Sequence, residues 1–300
     1  MLAIIIPYYK FTFFEATLDS LAAQTNQNFK VYIGDDASPE SPNDLLEKYQ
    51  QKFDFVYHRF DENLGGTSLT QQWERCIALS NNEEWIMILG DDDVLGENVV
   101  DAFYANLLEI KKEGVNVVRF STQSIDKVKN IISKVYINPK VEKATDFYYR
   151  RHSGDVRSSL SEHIFRRKSF LKYKFKNYPL AWHSDDYAWI EFAENKPVFA
   201  INDAIVTVVI SCESLTGRTT NLLKKNIARS LFYMDLVKNN LNLFDENMRL
   251  PLLLQAEIAI KINRKLTLKE WNVLFFEYLK NYSTLPMLKF IRRFVKSLFQ

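Results

Sequence analysis

Three groups of neighbouring carboxylates stand out. Asp35 and Asp36 close the run VYIGDD, Asp91, Asp92 and Asp93 follow WIMILG, and Asp185 and Asp186 sit in AWHSDDYAW. Adjacent carboxylates repel, so each group persists only where a cation, hydrogen bonds or water compensates. An Asp after a strand is also a common turn residue or helix N-cap, and that bland account applies to any one group taken alone. Three groups, two of them behind strong strand signals, point to a shared cation or a nucleotide. Hard oxygen donors of this kind suit Mg²⁺ or Mn²⁺, with substrate phosphates completing the shell. The four histidines, His58, His152, His163 and His183, have no zinc-ligand spacing. His183 is singled out because it precedes Asp185 by two residues; as a plain loop histidine it would do no chemistry.

Two familiar phosphate-binding signatures are missing. There is no G-x-x-x-x-G-K-[ST] loop and no G-x-G-x-x-G behind the first strand, which disfavours an NTPase or a nicotinamide dehydrogenase. Pro7, Tyr8 and Tyr9 stand there instead. They form either a rigid turn with aromatic surface that borders a base, or a strand-ending proline with core tyrosines.

The elements that must position these residues follow from periodicity. Leu2 to Ile6, FKVYIG, FVYHRF and EWIMIL are short apolar runs, separated by amphipathic segments around Phe13 to Ala22, LLEKYQQKF and SLTQQWERCIALS. That order predicts an α/β fold with a mostly parallel sheet covered by helices, whose ligands collect at the carboxyl ends of the strands. A helix from about Val99 to Lys112 and a strand in NVVRFS follow. PVFAINDAIVTVVIS predicts two short strands with a turn at Asn202 and Asp203, and the chain beyond Asn221 reads as helical.

Composition narrows the class. Of 300 residues 47% are hydrophobic, ample for a core, and the net charge of +2 makes no case for a nucleic-acid partner. Cys76 and Cys212 lie too far apart to suggest a disulfide framework or a thiolate metal site, and a reducing cytoplasm is expected. The opening apolar run stops at Pro7 without the basic lead of a signal peptide. No segment approaches the roughly 20 apolar residues of a membrane span. The segment from Met287 to Leu298 reads as an amphipathic helix carrying Lys289, Arg292, Arg293 and Lys296 with no acid from Leu285 onward. It either packs on the protein with a solvated basic face or lies peripherally on an anionic lipid surface.

IIIPYYK, SLAAQT, VYIGDDAS, NLGG, WIMILGDDDVL and SDDYAW occur in an order and spacing that resembles the family 2 glycosyltransferases of the GT-A fold, over roughly residues 1 to 215. The resemblance implies a Rossmann-like GT-A domain over 1–220, with a nucleotide-sugar half at about 1–120 and an acceptor half at about 121–220, then a helical C-terminal extension over 221–300. It implies inverting, metal-dependent transfer from a nucleotide-sugar, a UDP-sugar above all, to a glycan or lipid-linked acceptor in cell-surface polysaccharide synthesis. By that resemblance Pro7, Tyr8, Tyr9, Asp36, Asn63, Gly65, Asp91 and Asp92 bind the nucleotide-sugar, and Asp36 bonds the uracil. Asp93, with Asp91, holds Mn²⁺ or Mg²⁺. Asp186 is the general base, with Asp185 second, and Trp182 and His183 meet the acceptor; Trp189 is expected in the core. Departures are Lys10 where the family often has Asn, Gly90 for the first acid of its metal motif, and Asp185 for Glu. Other readings are a non-catalytic subunit that binds sugar nucleotides or glycans, and a sugar nucleotidyltransferase. The latter is disfavoured because PYYKFTFFE lacks the glycines its phosphate loop needs.

Overall fold

The computed structural model describes residues 1–218 and 220–299, so Gln300, the last residue of the expected extension, lies outside the described residues. The chain divides into two compact units, Met1–Asn177 with Ser184–Thr219, and Tyr178–His183 with Thr220–Gln300. A boundary read along the chain does not anticipate that residues 178–183 group with the C-terminal helices.

The first unit opens with β1 (Leu2–Tyr8), α1 (Phe14–Ala22), β2 (Phe29–Asp35), α2 (Asn43–Glu47), β3 (Phe55–Arg59), α3 (Leu69–Ala78) and β4 (Trp85–Ile88). Strands β3, β2, β1 and β4 lie side by side and parallel. Every residue of β4 and nearly all of β1 are buried, the burial expected of a parallel strand covered on both faces, which is why both read as unbroken apolar runs. Helix α3 starts at Ser68, whose hydroxyl accepts from Gln71 N, and turns Trp73, Cys76 and Ile77 inward at three- and four-residue spacing.

Beyond these come β5 (Val94–Leu95), α4 (Val99–Lys112), β6 (Val117–Asp126), β7 (Ile131–Ile132), β8 (Val141–Lys143), α5 (Ala144–Ser153), β9 (His163–Arg166), α6 (Arg167–Tyr173), α7 (Ser184–Ala193) and β10 (Pro197–Ile210). The sheet continues from β4 through β9, β6 and β10 to β5, with β9 antiparallel to both neighbours. The two strands expected within 197–210 are one strand. Instead of a turn, the pairing with β6 shifts register between Ile201 and Ile205. Asn202 is held in that bulge by bonds from Nδ2 to Asn138 O (2.7 Å) and from Asn138 N to Oδ1 (3.0 Å).

The second unit contains α8 (Leu222–Asp235), α9 (Glu246–Lys261), α10 (Leu268–Asn281) and α11 (Leu285–Leu298). Thr267 and Glu270 form a capping box that starts α10. No helix among the described residues is long and apolar enough to cross a membrane.

Candidate active site

Strands β1 and β2 run in register so that Tyr8 pairs with Asp35, and β1 and β4 so that Ile5 pairs with Ile88. The carboxyl ends of the three strands therefore align, bringing Tyr9, Lys10, Asp35, Asp36 and Asp91 to one edge. The chain winds from β1 outward through β2 to β3 and returns to place β4 on the other side of β1. That reversal is the switch point at which open parallel sheets bind ligands.

Backbone and side-chain donors compensate the acids there. Asp91 Oδ2 accepts from Tyr9 N (2.8 Å) and Lys10 N (2.7 Å), while the Lys10 ammonium stands 3.2 Å from Asp91 Oδ1 and bonds Asp92 Oδ2. Burial works against the charge of Lys10, but Asp91 and Asp92 outweigh it and raise the Lys10 pKa above its ordinary value. Asp91, expected at the cation, anchors the turn after β1 through Oδ2. Asp93, the other residue expected at the cation, is likewise bonded within the protein. Its Oδ2 bonds Ser161 Oγ and its Oδ1 accepts from Val209 N (3.0 Å), so its two oxygens tie the segment before β9 and strand β10 to the loop. Burial and the adjacent Asp92 push its pKa up to about 7, against those two bonds.

Asp92 is the most exposed of the three, at 8% against 4% for Asp91 and 6% for Asp93. Among the described residues no group of three or more His, Cys, Asp or Glu side chains converges as a metal cage. A cation held by one carboxylate and by substrate phosphate needs no such cage; Asp92, whose Oδ2 bonds Lys10 and whose Oδ1 takes no hydrogen bond among the described residues, is the least engaged of the three. Gly90 makes room for this loop, since a Cβ there would come within 2.9 Å of Asp93 Oδ2 and 3.2 Å of Asp92 Oδ1.

The Asp36 carboxylate is nearly inaccessible and accepts from Leu64 N (2.8 Å), Gly65 N (2.9 Å) and Arg75 Nη2 (2.5 Å). Burial raises its pKa, and the two backbone donors and Arg75 oppose that rise. A carboxylate offers about four acceptor positions, so one remains. Gly65, expected at the nucleotide-sugar, lets the turn close on Asp36, since a Cβ would lie 2.6 Å from Asp36 Oδ2. Asn63 likewise serves the turn, its Oδ1 accepting from Gly66 N at 2.6 Å. Tyr8 is a core residue, with its ring against Phe14 and its hydroxyl donating to Glu40 O at 2.9 Å, whereas Tyr9 is exposed. Pro7 lies within β1 opposite Gly34. Asp35 is buried and bonded by Arg59 and Tyr57, each at 2.7 Å.

Asp185 and Asp186 begin α7. Arg151 Nε on α5 lies 3.5 Å from Asp186 Oδ1. Asp185 keeps part of its surface open, yet crowding by protein atoms and the charge of Asp186 push its pKa up to about 8, with Arg151 opposing. Glu162 adds to that rise, and its chain neighbour Ser161 bonds Asp93, so the segment before β9 links the two acidic clusters. Trp189 is buried, stacked on His163 with ring centroids 4.2 Å apart. Trp182 and His183 belong to the other compact unit, where Lys225 lies over the Trp182 ring and His183 stacks on Phe232.

Arg75, Ser161 and Arg151 escaped the sequence reading. In the sequence Lys10 reads only as a departure from a motif. Arg75 follows the buried Gln72 by three residues on α3, and that burial is visible only in the structure.

A family model described as Glycosyl transferase family 2 matches residues 3–179. Among curated proteins, the glycosyltransferase GlyG of Streptococcus pneumoniae is 22% identical over 110 residues, 36% of each chain. The poly(ribitol-phosphate) beta-N-acetylglucosaminyltransferase TarS of Staphylococcus aureus is 27% identical over 125 residues, 38% of this chain and 21% of that protein. The matched stretches thus span well under half of these relatives. The crystal structure of S. aureus TarS 1-349 in complex with UDP-GlcNAc superposes with a TM-score of 0.65 at 14% identity, covering 92% of this chain and 79% of that one. A longer S. aureus TarS structure gives 0.60 at 15% identity and covers 92% and 47%. The fold is shared at low identity.

Proposed function

Because the chain belongs to glycosyl transferase family 2, we propose that it transfers a sugar, with inversion, from a UDP-sugar to a glycan or lipid-linked saccharide in cell-surface polysaccharide synthesis at the cytoplasmic face. The observation that carries this reading is the alignment of Asp36, Asp91 and Asp92 with Tyr9 at the switch point between β1 and β4. The TarS structure with UDP-GlcNAc supports uridine as the base of the donor.

In this reading the ring of Tyr9 borders the uracil and the remaining acceptor position of Asp36 takes its N–H. Asp92, beside Lys10, would hold a Mn²⁺ or Mg²⁺ ion. When bound, that ion offsets the charge gained by the departing diphosphate. Asp186, oriented by Arg151, accepts the proton of the acceptor hydroxyl as its oxygen bonds the anomeric carbon. The carbon–oxygen bond to the diphosphate breaks in the same event, and attack from the opposite face inverts the centre. The extension over 221–300 is an addition to this catalytic domain.

Calorimetry of UDP with and without Mn²⁺ tests the donor site. We expect metal-dependent binding that Asp92→Asn abolishes, and product NMR showing inversion. With a competent acceptor, Asp186→Asn should lower turnover by about 10²–10⁴ with UDP affinity unchanged. Retention of configuration, or UDP binding indifferent to Asp92→Asn, refutes the assignment. UDP-sugar binding without turnover over a broad acceptor panel would favour the non-catalytic subunit.

A further inference from the structure

Helix α11 is fixed to its own unit along one face. Met287 and Phe290 are buried, and Arg293 donates to the buried Glu257 of α9 through Nε (2.8 Å) and Nη2 (2.7 Å), with a third bond from Nη2 to Tyr278 OH at 2.9 Å. Arg293 is therefore not part of a solvated basic face. Three cations remain outward, Lys289, Arg292 and Lys296, all exposed.

What lies outward beside them is apolar. Leu288, Ile291, Val295 and Leu298 are 64%, 40%, 44% and 59% exposed. The first two of these spacings, three and four, repeat in Lys289, Arg292 and Lys296, displaced by one residue. One residue is about 100° of helix, so the exposed surface carries an apolar stripe running alongside a basic one. Helix α10 extends the apolar side. Phe276 and Leu279 are exposed, and an open groove of about 470 Å³ between the helices is lined by Leu268, Trp271, Phe275, Phe290 and Phe294. Helix α11 has no Asp or Glu.

We propose that α11 lies in the headgroup layer of an anionic bilayer, with its Leu288–Leu298 stripe toward the acyl chains and Lys289, Arg292 and Lys296 on lipid phosphates. A protein partner would need an apolar strip edged by acids; a negatively charged bilayer offers both features along its whole surface. This inference stands independently of the donor and acceptor.

The test is flotation of the full chain with vesicles of phosphatidylcholine alone or mixed with phosphatidylglycerol. The chain should float with the mixed vesicles only, and added salt should release it. Arg292→Glu with Lys296→Glu should lower partitioning roughly thirtyfold or more, from the attraction of each basic side chain near an anionic surface. Leu288→Ser with Leu298→Ser should lower it at least as far. Both pairs are exposed, so circular dichroism melts should match the parent and separate lost binding from lost folding. Equal binding to neutral vesicles, no binding, or binding that survives both double variants overturns the proposal. So does a concentration-dependent dimer that Leu288→Ser with Leu298→Ser dissolves while vesicles are ignored, for a second copy would then cover the stripe.

Discussion

Replacing Arg75 with methionine removes the one side-chain cation that the buried Asp36 carboxylate bonds among the described residues, while keeping much of the aliphatic packing on α3. The lost bond, 2.5 Å from Nη2 to Oδ1, is charge-assisted on both sides and worth about 1.5–3 kcal/mol. The guanidinium also lies 3.9 Å from the Phe60 ring centroid, a contact worth about 0.5–1 kcal/mol. Leu64 N and Gly65 N stay on the carboxylate, so the full penalty of an orphaned buried charge, about 3–5 kcal/mol, is not reached. The expected loss is about 3 kcal/mol at neutral pH. Its pH dependence has a defined sign. Burial already raises the Asp36 pKa above 3.8 and Arg75 opposes that rise, so the variant carries a still higher folded value. A carboxyl raised on folding contributes stability below its unfolded pKa and loses it as pH rises through the folded value. The deficit of Arg75→Met should therefore widen from acid to neutral pH. Urea unfolding followed by tryptophan fluorescence measures it, and a double-mutant cycle with Asp36→Asn should give a coupling of about 2 kcal/mol. A loss below about 0.5 kcal/mol, or one constant with pH, would show that Arg75 does not neutralise Asp36.

Gly65→Ala should destabilise by about 1–3 kcal/mol, because its Cβ meets Asp36 Oδ2 at 2.6 Å and the turn must shift. Urea midpoints check this, and a neutral result would mean the turn is not built around Asp36. Asp185→Asn should flatten the pH dependence of the melting temperature. The wild-type carboxyl rises from 3.8 to about 8 on folding, so its stabilising effect is complete below pH 3.8 and drains away as pH climbs toward 8. Identical slopes for variant and parent would refute the crowding inferred at the start of α7.

The order of strands and helices in the first hundred residues is legible along the chain, because burial on one or two faces leaves a readable period. The sequence also locates the acids, since a strand in a parallel sheet must end its apolar run where the sheet meets solvent, and GDDAS and GDDDV mark two such ends. The single strand 197–210 was missed because a bulge looks like a turn in one dimension; Asn202 and Asp203 are turn residues by type, and only pairing with β6 distinguishes the cases. The tertiary structure alone decided what each carboxylate does. Asp36 meets Arg75 from 39 positions away, and Asp93 meets Ser161 from 68 and Val209 from 116. The triplet therefore resolves into Asp91 bonded to the β1 turn, Asp93 tied to Ser161 before β9 and to β10, and Asp92 bonded to Lys10 and slightly less buried than the other two. Spacing along a chain records which residues share a face of one element, whereas the charge state and direction of a buried acid depend on donors from other elements. No periodicity carries that information.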